Sequence, residues 1–177
     1  QYDSGGMNIS PGYGRMRLLT DHVSDHGVEL GAALAGLLSF ALYVSTMAHG
    51  ITWRNLGGDG GDLLTAAFTW GIPHPSGYPT YLLGLRGFSG LVPFADEALV
   101  GNLFSATLGA LSIVFVFLAT YRLIGLAQSA KDVSPYAKWL SASVAALAVG
   151  ASRELWSQAT ITEVYALNAL VASVLLY

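Results

Sequence analysis

"LGAALAGLLSFALYVSTMA", Leu30 to Ala48, is 19 residues without a charge. As a helix rising 1.5 Å per residue it would be about 28 Å long, close to the hydrocarbon thickness of a bilayer, and it is predicted to span one. The composition agrees. Hydrophobic residues make up 53% of the 177-residue chain and charged ones 11%, against roughly a quarter charged in ordinary soluble proteins, so lipid is the expected solvent. Some 27 mostly polar residues precede the run, which reads as an uncleaved anchor, because a signal peptide carries its apolar core nearer the start. The net charge of −3 comes without a basic cluster, so the electrostatic footprint of a nucleic-acid binder is missing and no nucleic-acid partner is expected. With no cysteine there is neither a disulfide frame nor a thiolate metal site.

Further spans follow outward. Ala98 to Tyr121 is a second uncharged run, 24 residues long. Trp139 to Ser152 has only 14 residues, yet Trp139 and Trp156 bracket it like interfacial anchors, and a helix continued through Ser157 would reach membrane length. Val164 onward opens a fourth. The expected fold is all-α, a polytopic transmembrane protein with 3–4 spans, divided into a polar leader, 1–27, and a helical membrane domain, 28–177. The chain opens on Gln1 and stops at Tyr177 inside the apolar run "ALVASVLLY", so it is expected to be part of a longer protein.

Ser76 to Ala95 is apolar enough for lipid but carries Arg86, four glycines and Pro93. Lys and Arg in short loops favour the cytoplasmic side. Arg122 to Lys138 holds three basic residues in 17 and the leader holds Arg15 and Arg17, whereas the roughly 50 residues between the first two spans hold just Arg54 and Arg86. If Ser76–Ala95 does not cross, both basic segments fall inside, so it is expected to be an interfacial or re-entrant helix and the N-terminus cytoplasmic. Asp59, Asp62, His74 and Arg86 then lie outside, where the turn "SRELWSQATITEVYALNA" adds Arg153, Glu154 and Glu163. The ionisable groups of two loops should converge on one membrane surface. No internal repeat or low-complexity tract is present.

The outer loop, "GGDGGDLLTAAFTWGIPHPSGYP", allows two readings of each polar residue. Asp62 could cap a short helix, Asp59 could stabilise a turn, His74 could be structural between two prolines, and Glu163 with Arg153 could form a headgroup-level ion pair of little energetic weight. In the functional reading, glycines let the backbone approach a ligand, and carboxylates at a bilayer edge are partly desolvated, which raises them toward the range of a general base. Arginine and histidine at that level could receive a phosphate. No zinc spacing such as HExxH, no GxSxG elbow and no Walker loop occurs.

An anchor helix followed by "DGGDLLTAA", then "GIPHPSGYPTY", a span, and later "WSQATITEVYALNA" resembles a large bacterial family of membrane proteins. Its eukaryotic relatives include a membrane protein O-mannosyltransferase, and it belongs to the GT-C glycosyltransferase superfamily. The resemblance covers about Gly31 to Tyr177. It implies a multi-span enzyme of the bacterial inner membrane that takes a sugar from a polyprenyl-phosphate donor at the outer face. It implies Asp59 as the catalytic base, with Asp62 standing where a glutamate is common, and His74, Tyr78, Glu163 and Tyr165 in the shared substrate-binding blocks. Arg153, and then His74 or Arg86, would steady the departing phosphate, and a divalent cation shared with Asp62 could do the same.

The competing expectation is a non-catalytic subunit packed against other membrane subunits of a larger assembly, respiratory or photosynthetic. Small residues in "GAALAG" and "SASVAALAVGAS" suit close helix contact, within the chain or between chains. All four histidines, His22, His26, His49 and His74, lie outside span interiors, leaving no bis-histidine haem site within the bilayer.

Overall fold

The computed structural model describes residues 11–127 and 133–177. Lys131, one of the basic residues of the α4–α5 connection, lies outside the described residues, as does the first part of the leader. The order is α1 (Pro11–Thr46), a single 3-10 turn (Arg54–Leu56), α2 (Gly60–Thr69), α3 (Pro79–Ser89), α4 (Glu97–Leu126), α5 (Pro135–Gly150), α6 (Arg153–Ala159) and α7 (Tyr165–Leu176). No strand occurs among the described residues.

α4 is the axle. Thirty residues long, it starts where Asp96 caps it, Oδ1 accepting the Leu99 N–H at 2.8 Å, with Glu97 adding negative charge to its first turn. α1 runs antiparallel to it: Asn102 meets Ala48, Gly109 lies under the Tyr43 ring, Val114 covers Gly36 and Phe117 covers Gly31. α5 returns parallel to α1, and α7 descends parallel to α4, from Glu163 beside Ser105 to Tyr177, whose carbonyl accepts from Arg122. The short helices α2, α3 and α6 cluster at the end where α1 finishes and α4 begins.

Among the described residues two helices, His26–Thr46 within α1 and Glu97–Leu126, are long and apolar enough to cross a membrane. α1 leaves Leu30, Leu34, Leu37 and Leu38 uncovered, Leu37 at 64%, an apolar stripe at helical spacing. The chain is a membrane protein. The small residues of α1 and α5 face inward: Ala32, Ala35, Ala142 and Ala146 pack with Ile113 and Phe117 of α4.

The third span differs from its expected form. α5 stops at Gly150, and Ser152 opens a separate helix by accepting the Leu155 N–H at 3.3 Å, so the helix does not continue through Ser157. Its 16 residues reach about 24 Å. Trp139 and Trp156 bracket α1 instead: Trp139 Nε1 donates to the Gly27 carbonyl at 2.8 Å and Trp156 Nε1 to Thr46 Oγ1 at 2.9 Å. Ser76–Ala95 holds only the 11-residue α3, about 16 Å and too short to cross.

Candidate functional site

The end of α1 is wired to the start of α7 by polar groups inside an apolar frame. Asn102, 2% exposed, donates through Nδ2 to the carbonyls of Ala48 at 2.7 Å and Gly50 at 3.3 Å, while its Oδ1 accepts from Thr162 Oγ1 at 2.8 Å. Ser105 lies 3.4 Å from both the N–H and the carbonyl oxygen of Glu163. Ala48 donates its N–H to the Thr160 carbonyl at 3.0 Å. At Gly101 the 160–163 segment comes so close that a Cβ would strike Thr162 and Leu64, which requires glycine there.

This wiring delivers the Glu163 carboxylate, 2% exposed, beneath the glycine-rich loop, where Oε1 accepts the Asp59 N–H at 3.4 Å. The two loops meet again at Asn55, whose Nδ2 donates to the Ser157 carbonyl at 3.3 Å and whose own carbonyl accepts from Gln158 at 3.0 Å.

Asp59 ends the loop and α2 begins at Gly60, so Asp62 sits in the first turn of the helix and not at its cap. Its Oδ2 turns to the Pro-His-Pro segment, accepting the His74 backbone N–H at 2.9 Å and His74 Nδ1 at 2.8 Å. The imidazole is thereby aimed, and Nε2 lies 3.4 Å from Asp59 Oδ2. The Tyr78 ring stands edge-on to His74 at 5.5 Å. Asp59, Asp62, His74, Tyr78 and Glu163 lie together in one cluster.

Both aspartate side chains are half exposed, and at Asp62 hydrogen bonding outweighs the expected raising by desolvation. The His74 backbone N–H, and then its side chain, hold the Asp62 carboxyl below the ordinary aspartate range. The Asp62 hydrogen bond, with the charges of Asp59, Asp62 and Glu163, pushes His74 up against a smaller opposing effect of burial. Glu163 is the desolvated member: burial raises it, with Asp59 adding repulsion, and backbone N–H groups partly offset this.

Other expected members stay apart. Arg86 packs over the Phe68 and Trp70 rings and donates to the Phe68 carbonyl at 3.0 Å, capping the far end of α2 and not facing the cluster. Arg153 is the exposed first residue of α6. It pairs neither with Glu163 nor with any other carboxylate among the described residues. Tyr165 is exposed at the start of α7. The cluster does not fit a divalent cation as arranged: Asp62 Oδ2 is spent on two N–H groups, both His74 nitrogens face carboxylates, and no three of its groups are disposed to ligate one ion among the described residues. Asn102, Ser105 and Thr162 were not foreseen as site residues. Their signal was polar side chains within, or packed on, an apolar run, which in a membrane calls for a partner.

From Tyr78 a groove of about 440 Å³ opens between the start of α3 and α7, lined by Tyr78, Tyr81, Val164, Leu167, Val171 and Leu175 among others. Residues 59–177, which include the whole cluster, match the family model described as Protein O-mannosyl-transferase TMEM260 N-terminal domain. The chain belongs to this family. The protein O-mannosyl-transferase TMEM260 of Mus musculus is 33% identical over 120 residues, covering 68% of this chain and 15% of the relative. No solved structure matches the chain.

Proposed function

We propose that this chain is the base-bearing N-terminal part of a GT-C-like integral membrane glycosyltransferase, moving a sugar from a polyprenyl-phosphate donor to an acceptor hydroxyl at the outer face of the membrane. The observation that carries the reading is the placement of Asp59: half exposed, held through its backbone by Glu163 and beside His74, whose ring neighbour Tyr78 lines a mostly apolar groove that follows α7. An apolar groove beside a cluster of acid–base groups suits a substrate whose tail is isoprenoid and whose head is charged. Asp59 accepts the acceptor's proton as its oxygen bonds to the anomeric carbon, and the bond from that carbon to the phosphate oxygen breaks with its electron pair leaving on phosphate. Arg153, which forms no ion pair among the described residues, would meet that charge only by approaching the cluster. The relative's name makes mannose the first sugar, and a protein hydroxyl the first acceptor, to try.

The test is Asp59→Asn in the complete protein. Sugar transfer from polyprenyl-phosphate mannose should be lost while the protein stays in the membrane; unchanged transfer removes Asp59 from the mechanism. The uncovered leucine stripe of α1 would also suit a non-catalytic subunit packed on neighbouring helices. That reading requires the Asn variant to leave all function intact.

A further inference from the structure

Asp62 Oδ2 is an ionised acceptor with no proton of its own, so the nitrogen 2.8 Å from it, His74 Nδ1, carries the hydrogen. The second bond to the same oxygen, from the His74 backbone N–H at 2.9 Å, fixes the Asp62 carboxylate against the Pro-His-Pro segment, so the acceptor that holds the ring is itself held. Buried Pro73 and the neighbouring Pro75 stiffen the segment on both sides. Nε2 is therefore the nitrogen left for other work, and it faces Asp59 Oδ2 at 3.4 Å. An unprotonated Nε2 and an ionised Asp59 would present two lone pairs to each other, an arrangement that one proton placed between them turns into an attraction. The geometry is built to receive a proton at that point.

We infer that His74 is a positioning residue for Asp59: held by Asp62 through Nδ1, it takes over at Nε2 the proton that Asp59 draws from the acceptor hydroxyl. This rests on the glycosyl-transfer reading above. An aspartate in water holds a proton only below about pH 3.9, whereas a base works best when matched to the operating pH. Sharing the proton with an imidazole lifts the proton-holding power of the pair without moving Asp59 away from the substrate. The resulting imidazolium lies between two carboxylates, with Glu163 on the 160–163 segment as a third negative group and the Tyr78 ring edge-on from α3; no Lys or Arg forms an ion pair with the cluster among the described residues. The balance is simple. The acceptor oxygen gains a bond to the anomeric carbon and loses its proton through Asp59 to Nε2, the phosphate leaves with the electron pair, and His74, with 38% of its side chain exposed, returns the proton to water.

The experiment uses the complete protein, polyprenyl-phosphate mannose and a Ser/Thr peptide, with transfer measured across pH for wild type, His74→Gln and Asp62→Asn. In parallel, the titration of His74 is read from the exchange of its ring C2 hydrogen by mass spectrometry. The wild-type acid limb should coincide with the His74 titration, above about pH 6.5. His74→Gln should lower kcat by about 10- to 100-fold with KM for the donor unchanged, and should move the acid limb down toward the carboxylate range. Asp62→Asn should move the limb and the His74 titration down together. A His74 that only holds the loop would leave the limb in place as kcat falls, and that result overturns the inference while the glycosyl-transfer reading survives. A His74 titration unmoved in Asp62→Asn overturns it as well. If the wild-type protein transfers no sugar, the parent reading falls and the inference with it.

Discussion

The two ends of α4 are built on different physics. Its second half packs through area and shape: Phe117 and Ile113 fill the space between α1 and α5, with the Phe117 and Trp139 rings meeting edge-on at 6.2 Å. Its first turns are specified by hydrogen bonds, with Asn102 holding the end of α1 and Thr162 at once, and Ser105 flanking the backbone of Glu163. In lipid the apolar end gains little from burial as such and relies on van der Waals contact, whereas each polar group at the other end needs its partner. One end holds the helices together, and the other places the Asp59–His74–Glu163 cluster.

The largest effect should come from the cluster itself. Asp59→Asn should lower transfer by roughly 10²- to 10⁴-fold with the fold intact, as removal of a general base does. Next, Asn102→Leu deletes three hydrogen bonds and leaves the Thr162 hydroxyl short of its acceptor. A cost of about 2–4 kcal/mol is expected, together with loss of transfer even where the protein still folds. Phe117→Leu, a contact-reducing change at the opposite end, should cost about 1–2 kcal/mol and leave transfer unaltered. Unfolding in detergent, paired with transfer assays, checks both. If Phe117→Leu silences transfer as fully as Asn102→Leu, the contrast between the ends is wrong.

A smaller change sharpens the same contrast. Gly101→Ala drives a methyl into Thr162 and Leu64, so about 1–3 kcal/mol of strain is expected, together with a displaced Glu163 seen as altered protection of the Asp59 amide. The smallest effect is in pH. His74 is raised by Asp62, so its share in holding the Pro-His-Pro segment is full below about 6.5 and fades as pH rises through the raised value. Asp62 is lowered, so its share is full above about 3.9 and fades as pH falls through the lowered value. The segment should therefore be held best between roughly pH 4 and 6.5. Hydrogen-exchange protection of residues 72–78, normalised for the intrinsic rate, should show that plateau, and Asp62→Asn should flatten it.

Much of this arrangement was readable from residue order. The uncharged runs at Leu30–Ala48 and Ala98–Tyr121 marked α1 and α4, because a gap of that length without charge has few other uses. The acidic hairpin and the Glu163 turn could be paired because loop charge placed them at one end. The break between α5 and α6 was hidden: Gly150, Ala151 and Ser152 look like small residues within a span, and only their fold shows Ser152 acting as a cap. The tryptophans misled for a related reason, since an indole N–H near an interface can serve any helix within reach, and both chose α1. Arg86 looked like a phosphate ligand because a lone arginine in an apolar stretch must find an anion or a carbonyl; Phe68 supplied the carbonyl and two rings the surface. Asp62 shows the limit most clearly, since its partner is twelve residues away across a turn whose path residue types do not dictate.

The cluster exists only where the glycine-rich loop and the 160–163 segment lie against each other. A Cβ added at Gly60 would stand 3.5 Å from Thr162 Cβ, within the range for a disulfide, and the chain has no cysteine of its own. The measurement is oxidation of Gly60→Cys/Thr162→Cys in membranes, followed by cleavage at a protease site placed between α4 and α5 and electrophoresis without reductant. The two fragments should stay joined until reductant is added, and neither single variant should hold them; fragments that separate freely from the oxidised double variant would contradict the shared site.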